Sequence, residues 1–421
     1  MIRYAPAVLL GRAARFAARV RKPGGGSAVP GLVVNRVAPG FLPAVLDGFR
    51  DGLVVVTGSA GKSTTTKMLV AVLRAHGLRV FTNPSTANIA QGLTSALLEQ
   101  ADLRGRIDAD IAVLEMDEGH GARLAPRMRP RVVLLTNVVV DQIDRFFDPA
   151  MVARMLGTIA SRATGPVVLN ADDRHVADVA TSLPDERIRW YGVSSSVRDS
   201  ASGGLGYAAE AEAGTDRATT VVESTTGAAA RIVSDGDPLE VRLPARGVHY
   251  AVDAAAAVST ARAVLAERFD PALAASALSS IDPVFGRGEI VTVRGHEVEF
   301  VLVQNPASYR LNIAEIPEGT EQIMLAIGSD VRDPSYFWPV DSSVLGHVRV
   351  VSGSKAHEAA LHLRYDGVRV DSVDEDLGRA LDAFLALPTP ASGRKTIVFS
   401  ADSMRRTRAH LQLVTNREET A

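Results

Sequence analysis

A chain of 421 residues is too long for one hydrophobic core, so two or three domains are expected. Charged residues make up 22% and the formal net charge is -2, which argues against a bulk electrostatic partner such as nucleic acid. The sequence has no cysteine, which excludes disulfides, thiolate zinc sites and a cysteine nucleophile on this chain.

Met1 to Val20 interleaves arginines with Ala, Leu and Val, unlike the uninterrupted apolar stretch of a signal peptide. Leu9, Leu10, Ala13, Phe16, Ala17 and Val20 fall close to helical spacing and predict an amphipathic helix. Such a helix either packs on its domain, the simpler reading, or makes peripheral contact with a membrane surface carrying anionic lipid. Lys22 to Ser27 reads as a flexible joint. No segment approaches the apolar length of a transmembrane helix.

Leu53 to Val56 is a short, continuously apolar run, as expected for a strand buried on both faces. A Gly-rich turn follows it, and then Lys67 to His76 carries Met68, Leu69, Val72 and Leu73 at helical spacing. Val80-Phe81, Ile111 to Leu114, Val132 to Leu135 and Val167 to Leu169 are further buried-strand candidates, separated by helical patterns. This alternation predicts an α/β fold with a mostly parallel sheet covered by helices on both faces. Ser194 to Gly236 shifts to Ser, Ala, Gly, Thr and Glu and reads as a polar insertion with hairpins or as partly disordered loop. Tyr250 to Leu265 is an alanine-rich helix. A boundary near Asp282-Pro283 precedes a second α/β region with strands expected at Val298 to Val303, Ile323 to Ile327, Val348 to Val351 and Thr396 to Phe399. The expected division is a helix and joint over 1–50, a larger parallel-sheet domain over 51–282 and a smaller α/β domain over 283–421.

Thr57-Gly58-Ser59-Ala60-Gly61-Lys62-Ser63-Thr64 carries the strongest chemistry. A strand entering a glycine turn that opens a helix presents backbone N–H groups and the helix dipole to phosphate. Lys62 would add a cation at the β/γ phosphates, and the Ser63 hydroxyl can ligate Mg²⁺. Val56 stands where the usual spacing has its first glycine, so the form is Thr-Gly-x-x-Gly-Lys-Ser-Thr. The bland alternative is an accidental turn with a solvated lysine.

Other polar groups sit at later strand ends, where open α/β sheets place ligands. Glu115, with Asp117 and Glu118 just after it, is a natural Mg²⁺ ligand beside a triphosphate and otherwise a solvated acidic loop. Asn137 leads to Asp141-Gln142-Ile143-Asp144-Arg145, which either positions the γ-phosphate or metal-bound water, or simply caps a helix. For Asn170, Asp172 and Asp173, capping of the next helix is favoured over catalysis. Asn83 to Asn88 is dense in anion-binding side chains, or is plain turn chemistry. The run from Asp333 to Asp341 reads, on composition, as aromatic core with capping acids.

Assembled, these motifs resemble the Mur ligase family, and within it the MurT-type subunits of lipid II isoglutaminyl synthase. The resemblance is carried by the shortened phosphate loop, by Asn83-Pro84-Ser85 and by Val113 to Glu118. Thr136-Asn137 with Asp141 to Arg145, Leu169 to Asp173, Gly286-Arg287-Gly288-Glu289, Asn305-Pro306-Ala307 and Ser352 to Ala356 add to it. It implies a cytoplasmic enzyme that uses ATP and Mg²⁺ to phosphorylate the α-carboxylate of D-glutamate in lipid II. Ammonia from a GatD-like glutamine amidotransferase partner would then displace phosphate to give D-isoglutamine. It further implies nucleotide contacts from Thr57, Gly58, Gly61, Lys62, Ser63, Thr64, Asn137, His249 and Arg287, and magnesium at Ser63 and Glu115. Lys62 and Glu115 would act in the transfer, and Asp333 would complete the partner's active site.

The sequence departs from that pattern. Tyr250 and Asp253 stand at the asparagines of His-Asn-x-x-Asn, Gln304 replaces a Lys, Pro339 replaces an Asp, and no cysteine zinc ribbon is present. Two other readings follow: an ATP-dependent ligase joining an amino acid to a carboxylate, as in Mur and folylpolyglutamate ligases, or a nucleotide-binding partner subunit without catalysis.

Overall fold

Two β-sheets organise the chain, each built from one contiguous stretch of sequence. The computed structural model describes residues 4–21, 28–84, 87–140, 148–201, 204–211, 217–282 and 286–413. The first sheet holds β1 (Leu53–Thr57), β2 (Val80–Thr82), β3 (Ile111–Glu115), β4 (Val132–Leu135), β5 (Val167–Asn170), β6 (Ile188–Val193), β7 (Thr220–Thr226), β8 (Ala229–Ser234) and β9 (Asp237–Arg242). Their spatial order is β2-β3-β1-β4-β5-β6-β7-β8-β9. Neighbours from β2 to β7 pair in parallel, and β8 and β9 extend the edge antiparallel.

Every expected strand of this sheet is present. The runs are continuously apolar because both faces are covered. Val54 and Val56 face the helices Lys62–Ala75 and Val248–Leu265. Leu53 and Val55 face the opposite layer, which includes the N-terminal helices and Ala90–Gln100. The alanine-rich helix Val248–Leu265 is buried along almost its whole length, which its small side chains permit against the sheet.

The stretch 194–236 contains a hairpin, the first of its two expected readings. Its described part contains the helix Ser195–Ser200 and the strands β7 and β8, so its hairpin is a continuation of the main sheet. Val222 and Ile232 enter the core while alternate residues face water, and that half-buried pattern keeps the composition polar.

The second sheet holds β10 (Arg287–Val293), β11 (His296–Leu302), β12 (Ile323–Ala326), β13 (His347–Ser352), β14 (Arg369–Asp374) and β15 (Lys395–Phe399), in the order β10-β11-β15-β12-β13-β14. All pairs are parallel except the β10–β11 hairpin. The architecture is therefore the α/β one expected, with a large parallel-dominated sheet and a second, smaller sheet after it. Arg246 joins the two parts through Glu299 at 2.8 Å.

Candidate nucleotide site

In the first sheet β1 lies between β3 and β4, so the chain leaves β1 at the point where the strand order reverses. Open α/β sheets bind ligands outside the carboxyl ends of the strands at that point. Residues 57–64 occupy it. Gly58 has φ +134° and Gly61 has φ +79°, conformations that side chains disfavour. At each glycine a Cβ would also collide, with Thr136 Oγ1 at Gly58 and with the Asp253 carboxylate at Gly61. Space and backbone angle thus both require glycine at these two places.

The helix Lys62–Ala75 starts directly from this turn. Its first intrahelical bond runs from Thr65 N–H to the Gly61 carbonyl at 2.9 Å. The amides of Gly61, Lys62, Ser63 and Thr64 therefore come before any intrahelical acceptor and form the positive end of the helix. This is the donor set that a phosphate group needs, and the two glycines let Thr136 and Asp253 close against the turn behind it. The Lys62 ammonium folds over the turn, donating to the Gly58 carbonyl, to the Ser59 carbonyl at 3.0 Å and to the Glu118 carboxylate at 3.2 Å.

The segment after β4 holds the turn in shape. Asn137 Oδ1 accepts the Ala60 amide at 2.8 Å, and the Asn137 carbonyl accepts the Ser59 amide at 2.9 Å. Thr136 Oγ1 donates to the Ala60 carbonyl at 2.8 Å. Asn137 thus reaches the loop itself, and the contacts seen are with loop backbone. The neighbouring segment 141–147, with Asp141, Gln142, Ile143, Asp144 and Arg145, lies outside the described residues.

A second layer of polar groups fixes the clamp in turn. Asn170 Nδ2 and Tyr191 Oη both donate to the Thr136 carbonyl at 2.9 Å. Asp173 accepts the Val138 amide at 2.6 Å and, as cap of the helix Arg174–Val179, the Val176 amide at 3.1 Å. Asp172 accepts the Val193 amide at 2.8 Å and pairs with Arg198. Burial pushes the Asp173 carboxyl up to about 7 and the Asp172 carboxyl up to about 6, outweighing the opposing amides and Arg198. The capping reading of this trio holds for Asp173, which also supports the clamp.

On the other side of β1, Glu115 ends β3 and is buried. Its backbone is gripped by Asn83, whose Oδ1 accepts the Glu115 amide and whose Nδ2 donates to the Glu115 carbonyl, both at 3.0 Å. Asn83 therefore fixes where the strand ends. Asp117 caps the helix Glu118–Leu124 through the His120 amide at 3.0 Å. Of the three acids, Glu118 is the one paired with Lys62. Glu118 opens the helix after β3, whereas a metal ligand is expected at the strand end, where Glu115 stands. Among the described residues, no three His, Asp or Glu side chains converge on a metal position.

His249 lies at the start of the helix Val248–Leu265, its ring 4.3 Å from that of Tyr250. One turn later Asp253, buried, stands against Gly61. The spacing of four from His249 on a helix would have located Asp253 near the loop once His249 was placed there. Arg287 opens β10, and its side chain lies outside the described residues.

Asp333 is exposed and sits in the second part, beyond β12, just before the turn Pro334–Phe337. The aromatic run divides: Phe337 is buried edge-on against Tyr309, while Trp338 is 44% exposed and stacks on His362. Asp341 accepts the Ser343 amide at 2.8 Å. The composition reading of core plus capping acids therefore fits Phe337 and Asp341 but not Trp338.

Residues 56–261 match the Mur ligase middle domain. The MurT subunit of lipid II isoglutaminyl synthase (glutamine-hydrolyzing) from Streptococcus pneumoniae is 26% identical over 405 residues, covering 87% of this chain and 88% of that one. MurF from Acinetobacter baumannii superposes with TM-score 0.68 at 18% identity, over 90% of this chain and 79% of that one. Mycobacterium tuberculosis folylpolyglutamate synthase, complexed with ADP and AMPPCP, gives TM-score 0.62 at 16% identity, over 91% and 98%. The resemblance carried by the motifs, to Mur ligases and within them to MurT, is thereby borne out.

Proposed function

We propose that this protein, with its Mur ligase middle domain and MurT-like length, is the ATP-dependent ligase subunit of an enzyme that amidates a peptidoglycan precursor. The observation that carries the reading is the clamped turn at 57–64, with Lys62 and a helix N-terminus at the switch point of a Mur-type sheet. The substrate class rests on the similarity to the pneumococcal MurT subunit over almost the full length of both chains. In this reading the acceptor is the α-carboxylate of D-glutamate in lipid II, and a glutamine amidotransferase subunit delivers ammonia.

A carboxylate is a poor electrophile, and phosphorylation supplies it with a leaving group. Magnesium-bound ATP, when present, supplies the phosphoryl group for that purpose. The amides of Gly61 to Thr64 would bind its phosphates, and Lys62 would exchange its carbonyl partners for phosphate oxygens. Ser63 and Glu115 would offer the magnesium oxygens that the ion's preference for hard ligands demands. Thr57, Gly58 and Asn137 shape the turn, and His249 and Arg287 are assigned to the nucleotide. Asp333, exposed on the second part, is assigned to the partner's active site.

The test supplies ammonium chloride in place of a partner. Purified protein, ATP, Mg²⁺, lipid II and ammonium should release phosphate and give a product lighter by the difference between a carboxylic acid and its amide. Lys62→Ala should lower that rate by about 10²-fold or more, as loss of a transition-state cation does. An amino-acid adduct in place of the amide would favour an ordinary Mur or folylpolyglutamate-like ligase. Wild-type protein that binds ATP yet turns over nothing would favour a non-catalytic partner subunit.

A further inference from the structure

We propose that the outward face of the two N-terminal helices is a docking surface for an anionic membrane. The helix Ala5–Arg21 does pack on the domain, but with the opposite face to the one its apolar pattern suggests. Tyr4, Ala7, Val8 and Gly11 are buried, and Gly11 lets the helix approach Val34 and Leu98 closely. Arg12 donates to the Ala101 carbonyl at 2.8 Å and Arg15 pairs with Glu99, so both guanidiniums are drawn toward the protein. Leu9, Leu10 and Phe16 are left 56%, 42% and 73% exposed, with Ala13 and Ala17 on the same side. The helix Val29–Val37, packed beside it, adds Leu32 at 54% and Val37 at 59%.

Single exposed apolar residues are ordinary, but a cluster is not. Six of the fifteen large apolar side chains exposed among the described residues fall between Leu9 and Val37. Charge selects the occupant. Seven arginines and lysines and no Asp or Glu precede Asp47, whereas the rest of the chain is acidic in balance. An apolar stripe within a purely basic segment complements a surface that offers both hydrocarbon and negative headgroups. A folded acidic protein would satisfy the charge but not an exposed stripe that includes Leu9, Leu10 and Phe16. No helix among the described residues is long and apolar enough to cross a membrane, so the contact would be peripheral.

The test uses the full chain and vesicles that contain no peptidoglycan precursor, so its outcome is independent of the proposed reaction. Co-sedimentation with vesicles of equal phosphatidylglycerol and phosphatidylcholine should exceed that with pure phosphatidylcholine by about tenfold or more at low salt, and fall steeply in 0.5 M sodium chloride, roughly as screening predicts. Leu9→Gln with Phe16→Gln should weaken anionic-vesicle binding by about tenfold or more, since two exposed apolar side chains that would enter the bilayer are lost. Leu361→Gln, an exposed leucine in the second part, should leave it unchanged. Equal binding of both vesicle types, no binding, or insensitivity to the double variant would overturn the proposal. So would a lipid-free oligomer that the double variant dissociates, which would make this face an interface between copies of the chain.

Discussion

The two sheets hold their candidate functional segments on very different supports. At the carboxyl end of β1, the turn 57–64 is held by Asn137 and Thr136, which are held in turn by Asn170, Tyr191 and Asp173. Beyond β12, the Asp333 segment is anchored through Phe337 and Val340, while Asp333 itself faces water. The first arrangement suits a site that must keep several amides aimed at one ligand. The second holds the segment that the proposed function assigns to a partner's active site. The contrast is between a turn fixed by two layers of hydrogen bonds and an exposed acid whose segment is held by apolar packing.

The largest effect should come from Gly58→Ala. The new Cβ would meet Thr136 Oγ1 and the Asn137 backbone at a backbone angle that alanine disfavours. Nucleotide binding, followed by titration calorimetry, should be lost, with destabilisation of about 1–3 kcal/mol in urea unfolding. Next, Asn137→Ala leaves the Ala60 amide without its side-chain acceptor and should cost about 1–3 kcal/mol, with nucleotide affinity falling in parallel. If affinity held while stability fell, the clamp would be structural only.

A third expectation concerns pH. Asp173 ionises near 7 in the folded protein, against an ordinary value of 3.8. Between those values the folded protein keeps a proton that the unfolded chain has released. The stability this contributes is therefore complete below about pH 4 and is lost as pH rises through about 7. Asp173→Asn should flatten the dependence of unfolding free energy on pH in that window, and an unchanged slope would remove Asp173 as its source. The smallest stability change should come from Asp333→Ala, within about 0.5 kcal/mol, because its side chain is exposed. Nucleotide affinity and the ammonium-dependent reaction should stay, while glutamine-dependent turnover with the partner falls.

The legibility of these parts in the sequence follows the same contrast. Continuous runs such as Val54-Val55-Val56 and Val132 to Leu135 announce strands because both faces are buried. β14 escapes notice because Arg369–Asp374 buries only part of its length and carries charges on the exposed side. The phosphate turn is readable from Gly58, Gly61 and Lys62, since its chemistry is local. Glu118 and Asp253 both fall within family motifs, but their contacts with the turn, from a following helix and from a helix nearly 200 residues away, arise through tertiary packing that the motifs do not spell out. At the N-terminus the periodicity identifies the helix correctly, but it cannot say which face is covered, and the structure turns the apolar stripe outward.

The central claim is that the turn around Lys62 serves the activation of a carboxylate. Lipid II labelled with ¹⁸O in the D-glutamate α-carboxylate tests it most directly, with ATP, Mg²⁺ and ammonium supplied. One labelled oxygen per turnover should appear in inorganic phosphate, detected by mass shift. Label found in AMP, or retained wholly in the precursor while phosphate is released, would contradict the account.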